Sequence, residues 1–273
     1  TNSSENDYEA NTVYFSVSQE FFGGMSTVTL GYARGQDEVG VRGDESFSED
    51  ADRQNYQLGL SQVMTRNSLL GVDLEVVTDE GFLENPYRRN RYIDPNDPTK
   101  FILDQPERYP ETRTSFSVAT RALYYLPYRA SIRGEFRYFS DSWGIDAQTF
   151  ELAYVHALNP RWTLEGRARY YVQDEADFYS DLYAFENSQT HLARDKEMSA
   201  FSGTTLGGGV VYEWKQTSLP GIQRLQASLL VDWLDFSYDN FRDVTVSGDF
   251  LPGQEPLYSF DAFVTRASLI LEY

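Results

Sequence analysis

From Ser68 to Thr78 the side chains alternate. Leu70, Val72, Leu74 and Val76 fall on one face, and Gly71, Asp73 and Glu75 on the other. Trp162 to Gln173 repeats the pattern: Trp162, Leu164, Gly166, Ala168, Tyr170 and Val172 oppose Thr163, Glu165, Arg167, Arg169, Tyr171 and Gln173. A period of two marks strands whose faces meet different surroundings. Helical periodicity is almost absent. Eleven strands are read, at 12–22, 25–34, 53–63, 68–78, 113–125, 130–140, 145–156, 162–173, 200–214, 223–236 and 259–273. Most run about ten to thirteen residues, near the nine to eleven that a tilted strand needs to cross a bilayer. Soluble sandwich strands are usually shorter.

The connections alternate in length. Short turns fall at Gly23-Gly24, Thr65-Arg66-Asn67, Pro127-Tyr128-Arg129, Asn159-Pro160 and around Pro220-Gly221. Long loops cover 35–52, 79–112, 174–199 and 237–258, with Asp141 to Gly144 as a short exception. Short turns at one end and long loops at the other are the habit of bacterial transmembrane barrels. The fold class expected is therefore all-β: a single transmembrane antiparallel β-barrel domain over 1–273. Leu70, Val72, Leu74, Val76, Phe116, Val118, Leu164, Ala168, Leu225, Leu229 and Val231 are predicted to face lipid.

Aromatic residues sharpen this picture. Twenty Tyr, 18 Phe and four Trp make up 15% of the chain, although mean hydropathy is −0.51. Trp162, Trp214, Tyr124 and Tyr125 sit near the short-turn end; Tyr32, Tyr138, Trp143, Tyr170, Trp233 and Phe236 sit near the long-loop end. Two such girdles match the two headgroup regions of a bilayer. The chain closes on Ala267-Ser268-Leu269-Ile270-Leu271-Glu272-Tyr273, an alternating strand with a terminal aromatic.

Charge and composition remove other classes. A formal charge of −19 argues against a nucleic-acid partner, which needs a basic face. Zero cysteine removes disulfide scaffolds, thiolate metal sites and thiol catalysis. No run of 18 apolar residues forms a membrane helix, and the polar opening Thr1–Ala10 is not a signal peptide. Eleven strands is an odd number, whereas bacterial single-chain barrels are even. The reading preferred here is that N-terminal strands are missing, so that the first and last strands do not pair with each other.

Several segments resemble a family of proteobacterial outer-membrane barrels catalogued only as a domain of unknown function. They are FRYFSDSWGIDAQTFELAY (136–154), RARYYVQDEADFYSDLY (167–183), ENPYRRNRY (84–92) and MSAFSGTTLGG (198–208). Together they cover most of the region from about residue 53 to the C-terminus. The resemblance implies further N-terminal strands, including a Ser-Gly-Ala-Ser-Pro loop absent here, and a barrel of about sixteen strands. Genes of that family often neighbour a small lipoprotein, a thioredoxin-like protein and a flavin transferase, which implies envelope redox traffic. It supplies no residue with a known role.

By strand parity, Arg121, Arg133, Glu135, Arg137, Glu151, Glu165, Arg167 and Arg169 share the lumen side of four consecutive strands. Facing lipid, an arginine near mid-membrane would cost about 2–4 kcal/mol. They form either a charged constriction that selects permeants or cross-strand pairs that satisfy one another. Arg88, Arg89 and Arg91 concentrate positive charge in one loop. They suit lipopolysaccharide phosphate, an acidic partner, or their own acidic neighbours. The acidic loop Gly35–Asp52 matches no calcium-loop spacing, and Asp94-Pro-Asn96-Asp97 reads as a turn, so no metal site is expected. His191 with Asp181 or Asp195 is the only sketch of a surface hydrolase, His156 lies near a strand end, and no catalytic set is assigned. Gly207-Gly208-Gly209 marks a bend or close packing inside a strand. The expected function is a non-enzymatic conduit or housing in the bacterial outer membrane. Expected partners are lipid, lipopolysaccharide and a lipoprotein or other protein; no cofactor is assigned. The alternatives are a general diffusion porin and, third, a surface enzyme.

Overall fold

The computed structural model describes residues 1–214 and 224–273. The turn read around Pro220-Gly221 lies outside them. Strands are β1 (Asn2–Ser4), β2 (Tyr8–Phe21), β3 (Ser26–Val41), β4 (Asp44–Thr65), β5 (Ser68–Gly81), β6 (Arg89–Asp94), β7 (Asp97–Pro106), β8 (Thr112–Leu126), β9 (Ala130–Asp141), β10 (Asp146–Ala157), β11 (Trp162–Gln173), β12 (Phe201–Trp214), β13 (Arg224–Arg242) and β14 (Leu257–Glu272). All eleven predicted strands are present. With the short β1 they form one up-and-down sheet in the order β1-β2-β3-β4-β5-β8-β9-β10-β11-β12-β13-β14, and β6 and β7 form a separate hairpin. β14 pairs with β13, and β2 is covered by β1 only at Glu9–Asn11. The two outermost strands of the predicted set are thus not partners of each other.

Local chemistry sets the turns. At the β9–β10 corner the Asp141 carboxylate accepts from the backbone N–H groups of Trp143 and Ile145 at 2.9 and 3.0 Å. Gly144 adopts φ 89°, a conformation that a side chain would strain.

The first predicted loop proves to be a hairpin. β3 runs on to Val41 and β4 starts at Asp44, so Glu38 faces Asp50 and Gln36 faces Asp52 across the ladder. Alternation is weak here, because apart from Val39, Val41 and Phe47 both faces are dominated by polar residues. At 22 residues β4 spans about 70 Å, well beyond the roughly 30 Å hydrocarbon thickness of a bilayer. The 79–112 loop likewise contains the β6–β7 hairpin.

The sheet has an apolar face and a polar one. Phe116, Leu164, Ala168, Leu229 and Val231 are exposed on the first; Leu70, Val72, Leu74, Val76, Val118 and Leu225 are half-covered by same-face neighbours. Leu60, Val72 and Thr120 stand side by side in one such row. The other face is concave. The short 3-10 turn Lys196–Met198 borders a cavity with Tyr8, Asp37 and Arg53 and another with Arg137, Thr149 and Tyr171, which are contributed by strands on both sides of the sheet.

Exposed rings mark both ends of the apolar face: Tyr124, Trp162 and Trp214 at one, Tyr32 and Tyr170 at the other. Trp162 packs on Tyr212 and Tyr32 on Tyr56. Three rings depart from the predicted girdles. Trp143 is 3% exposed and belongs to a core above the sheet. Phe236 lies on the concave face over Gly203, stacked on Phe260 at 4.9 Å. Tyr125, next to Tyr124, has the parity of the concave face.

The glycines of β12 make room for their neighbours. A Cβ at Gly203 would overlap the Phe236 ring, at Gly207 the Asp232 carboxylate and at Gly209 the Leu230 side chain. Close packing accounts for Gly203, Gly207 and Gly209, whereas a Cβ at Gly208 would meet only an ordinary contact.

Candidate functional site

The concave face carries a lattice of charges in two adjoining rows. Arg121, Glu135, Glu151 and Arg169 occupy facing positions on β8 to β11. Arg133, Ala153, Arg167, Gly207 and Asp232 form the next row, from β9 to β13. Arg121 meets Asp73 at 2.7 Å and Glu135 at 2.9 Å, and Arg133 pairs diagonally with Glu151. Arg137 reaches Glu75 at 3.2 Å, and Arg167 grips Asp232 through two bonds, with Nε to Oδ1 at 2.8 Å. Arg266 completes the Asp232 cluster at 3.1 Å.

Parity therefore placed all eight residues on one face, and six of the eight are joined in ion pairs on it. The pairs of Arg121, Arg133 and Arg137 have half-exposed guanidinium groups and contribute about 0–1 kcal/mol each, whereas Asp232 is buried between its two arginines. The main effect of these pairs is to leave the wall polar and nearly neutral. Asp73, Glu75, Asp232 and Arg266 were missed as partners. Asp73 and Glu75 had been visible as the polar face of Ser68–Thr78. Asp232 showed only as a lone carboxylate within the run Leu229-Leu230-Val231-Asp232-Trp233.

Above the long-loop end, four connections (β5–β8, β9–β10, β11–β12 and β13–β14) fold into a cap with two apolar centres. One gathers Tyr109, Trp143, Ile145, Ala176, Phe178 and Ala193; the other gathers Tyr92, Tyr183 and Leu192. Between the loops Arg91 is wholly buried. Its guanidinium bonds the Asp181 carboxylate, the Asp181 carbonyl at 2.8 Å and Glu255 at 2.5 Å, and it lies 4.9 Å from the centre of the Phe101 ring. Arg194 adds a second contact to Asp181 at 3.2 Å. Tyr87 ties the cap to the wall: its hydroxyl accepts from Arg42 N–H and donates to Asp7.

The three loop arginines thus have different surroundings. Arg91 is sealed inside, Arg88 pairs with Asp195 at 3.3 Å, and Arg89 is exposed and donates to the Pro86 and Arg88 carbonyls. Of the three, Arg89 alone has no carboxylate partner among the described residues, which leaves its guanidinium available to an outside phosphate. The sketched histidine site does not assemble around its carboxylates. Arg91 and Arg194 occupy Asp181, Arg88 occupies Asp195, and the His191 ring packs toward Phe178. His156 lies against Tyr128 and shares a 3.0 Å hydrogen bond with the Tyr154 hydroxyl.

Two buried cap carboxylates titrate in opposite senses. Burial pushes Glu107 above the ordinary glutamate value, despite bonds from the Tyr109 hydroxyl and the Arg194 N–H. Burial also pushes Glu255 upward, but Arg91 and the backbone N–H groups of Glu255 and Gly253 together outweigh it and the net shift is downward. A raised folded value means that stability falls as pH rises from the ordinary glutamate range through the folded value. A lowered one means that stability falls as pH drops from the ordinary range through the folded value. Protection of the amides of residues 176–195, taken relative to their intrinsic exchange rate at each pH, is therefore expected to be greatest in mildly acidic buffer and to fall on both sides. Glu107→Gln should abolish the alkaline limb alone. An unchanged alkaline limb in that variant would remove Glu107 as its source.

No curated protein matches the chain. Among solved structures, CdiB from Acinetobacter baumannii aligns at 14% identity and TM-score 0.38, over 96% of this chain and 51% of its own. BamA from Haemophilus ducreyi lacking POTRA domains 1-3 aligns at 11% identity and TM-score 0.42, over 98% and 63%. The chain thus spans about half to two thirds of the length of these two. OmpT, an outer membrane protein of Vibrio cholerae, aligns at 10% identity and TM-score 0.41, over 96% of both chains. The fold itself rests on the strand ladder and its two-faced alternation. The family described as "Protein of unknown function (DUF3570)" matches residues 1–229, and the chain belongs to it.

Proposed function

We propose that this chain forms wall and cap of an outer-membrane β-barrel that acts as a non-enzymatic conduit for small hydrophilic solutes. The observation that carries the reading is the two-faced sheet. One face is apolar with rings at both ends, and the other bears Arg–carboxylate pairs such as Arg167–Asp232 and Arg121–Glu135. Lipid suits the first and water the second. A lumen built to house an acidic partner would hold its arginines ready for that partner. Here Arg121, Arg133, Arg137 and Arg167 already hold carboxylates of the wall, and this favours the conduit over the housing. The cap over the long-loop end favours a restricted conduit over a wide diffusion porin.

Reconstitution tests both halves of the reading. In planar bilayers the protein should give discrete conductance steps. In vesicles of brominated lipid, Trp162 and Trp214 should be quenched, while Trp143, enclosed in the cap, should keep its emission in single-tryptophan variants. Absence of steps together with unquenched Trp162 and Trp214 would sink the proposal.

A further inference from the structure

We propose that Arg169 and the rings beside it form a seat inside the lumen for a small organic anion with a flat apolar body. The seat lies within the conduit proposed above. Among the eight wall charges, only Arg169 and Glu165 lack an ion pair among the described residues. The register explains why Arg169 is left over. Its facing residue on β10 is Glu151, which Arg133 has taken, and its facing residue on β12 is Thr205. Glu135, one strand further, is held by Arg121.

The surplus guanidinium is poised rather than loose. Its central carbon lies 5.6 Å from the Tyr171 ring centroid, and Tyr171 is itself fixed by donating to Gln173 at 2.6 Å. Gln173 in turn donates to the Glu197 and Ser199 carbonyls, holding the Met198 turn as a roof. Beneath that roof is a cavity of about 510 Å³ bordered by Arg169, Tyr171, Phe139, Phe201 and Met198. Glu135 and Glu151, whose carboxylates Arg121 and Arg133 hold, and the exposed Glu197 also border it. Small-molecule pockets typically enclose about 300–1,000 Å³, and this one combines aromatic faces with a polar and charged border. The other arginines on its border are committed: Arg113 to Asp141 at 2.5 Å and Arg137 to Glu75. Tyr171 and Phe201, with ring centroids 5.4 Å apart, supply faces for a planar group. The guanidinium supplies paired donors for a carboxylate.

The test uses 2-naphthoate as probe, with calorimetry on protein in lipid nanodiscs and empty nanodiscs as the blank. Naphthoate should bind saturably and 2-naphthamide at least about tenfold more weakly, since hydrogen bonds to charged groups are worth about 1.5–3 kcal/mol. Arg169→Gln should weaken naphthoate by a similar factor and leave the amide unchanged. Arg34→Gln, on the far side of the sheet, should change neither. Equal affinity for acid and amide, or undiminished naphthoate binding by Arg169→Gln, would overturn the seat. Conductance is read separately. Channels that conduct but do not bind naphthoate overturn the seat and leave the conduit. Binding that depends on Arg169 without conductance upholds the seat and removes the conduit.

Discussion

Replacing Arg91 by alanine is expected to loosen the cap by about 3–5 kcal/mol, the range found when one partner of a buried ion pair is removed. The size follows from what remains. Asp181 would keep Arg194, but Glu255 would be left buried with the Gly253 N–H at 2.9 Å as its remaining neighbour in the Arg91 network. The guanidinium joins β6, the 174–199 loop and the 243–256 loop, so all three should lose protection together in amide exchange. The wall strands, held by their own ladder, should keep theirs. Pairing Arg91→Met with Glu255→Gln removes the stranded charge and should recover part of the loss. Unchanged exchange of the cap in Arg91→Ala would show that the buried cluster does not hold the loops.

Trp143→Ala is the second large effect, at about 3–5 kcal/mol for deletion of a buried aromatic side chain. The indole lies 5.4 Å from Tyr109 and 5.3 Å from Phe178, beneath the Arg113 guanidinium at 4.5 Å, and its N–H donates to the Thr112 carbonyl at 2.9 Å. Its removal should open the β9–β10 corner and the Ala176–Phe178 segment to protease. Trp143→Phe should retain much of the packing and lose only the hydrogen bond and part of the volume. Protease resistance equal to that of the parent in Trp143→Ala would mean that the corner is held by the Asp141 turn alone.

The wall was legible because each strand that meets two different surroundings writes both into its sequence. Leu70, Val72, Leu74 and Val76 against Asp73 and Glu75 need no partner strand to be recognised. The tip of the β3–β4 hairpin writes them only weakly, since Asp37, Glu38, Glu49 and Asp50 leave little apolar side to alternate with. The cap was illegible for a different reason. Arg91 meets Asp181 across 90 residues and Glu255 across 164, and nothing local in ENPYRRNRY says which of its arginines will be buried. Trp143 looked like a girdle ring because a tryptophan at a strand end usually is one. Its true surroundings depend on Tyr109 and Phe178, which other loops bring. Parity also ranked the eight wall charges alike. Register was needed to show that Glu151 goes to Arg133 and leaves Arg169 over.

The glycines of β12 carry a consequence for how this gene can drift. Any substitution of a glycine adds at least a Cβ, and at Gly203, Gly207 and Gly209 that atom meets Phe236, Asp232 or Leu230 from the next strand. These codons should be purged of replacement changes, while those for Gly134 and Gly166, where a Cβ has no neighbour within 4 Å, should wander freely. A deep mutational scan should therefore show one strand on which the residues with no side chain are the least replaceable. The tolerated exceptions should be paired changes, in which Phe236 or Leu230 shrinks as its facing glycine grows.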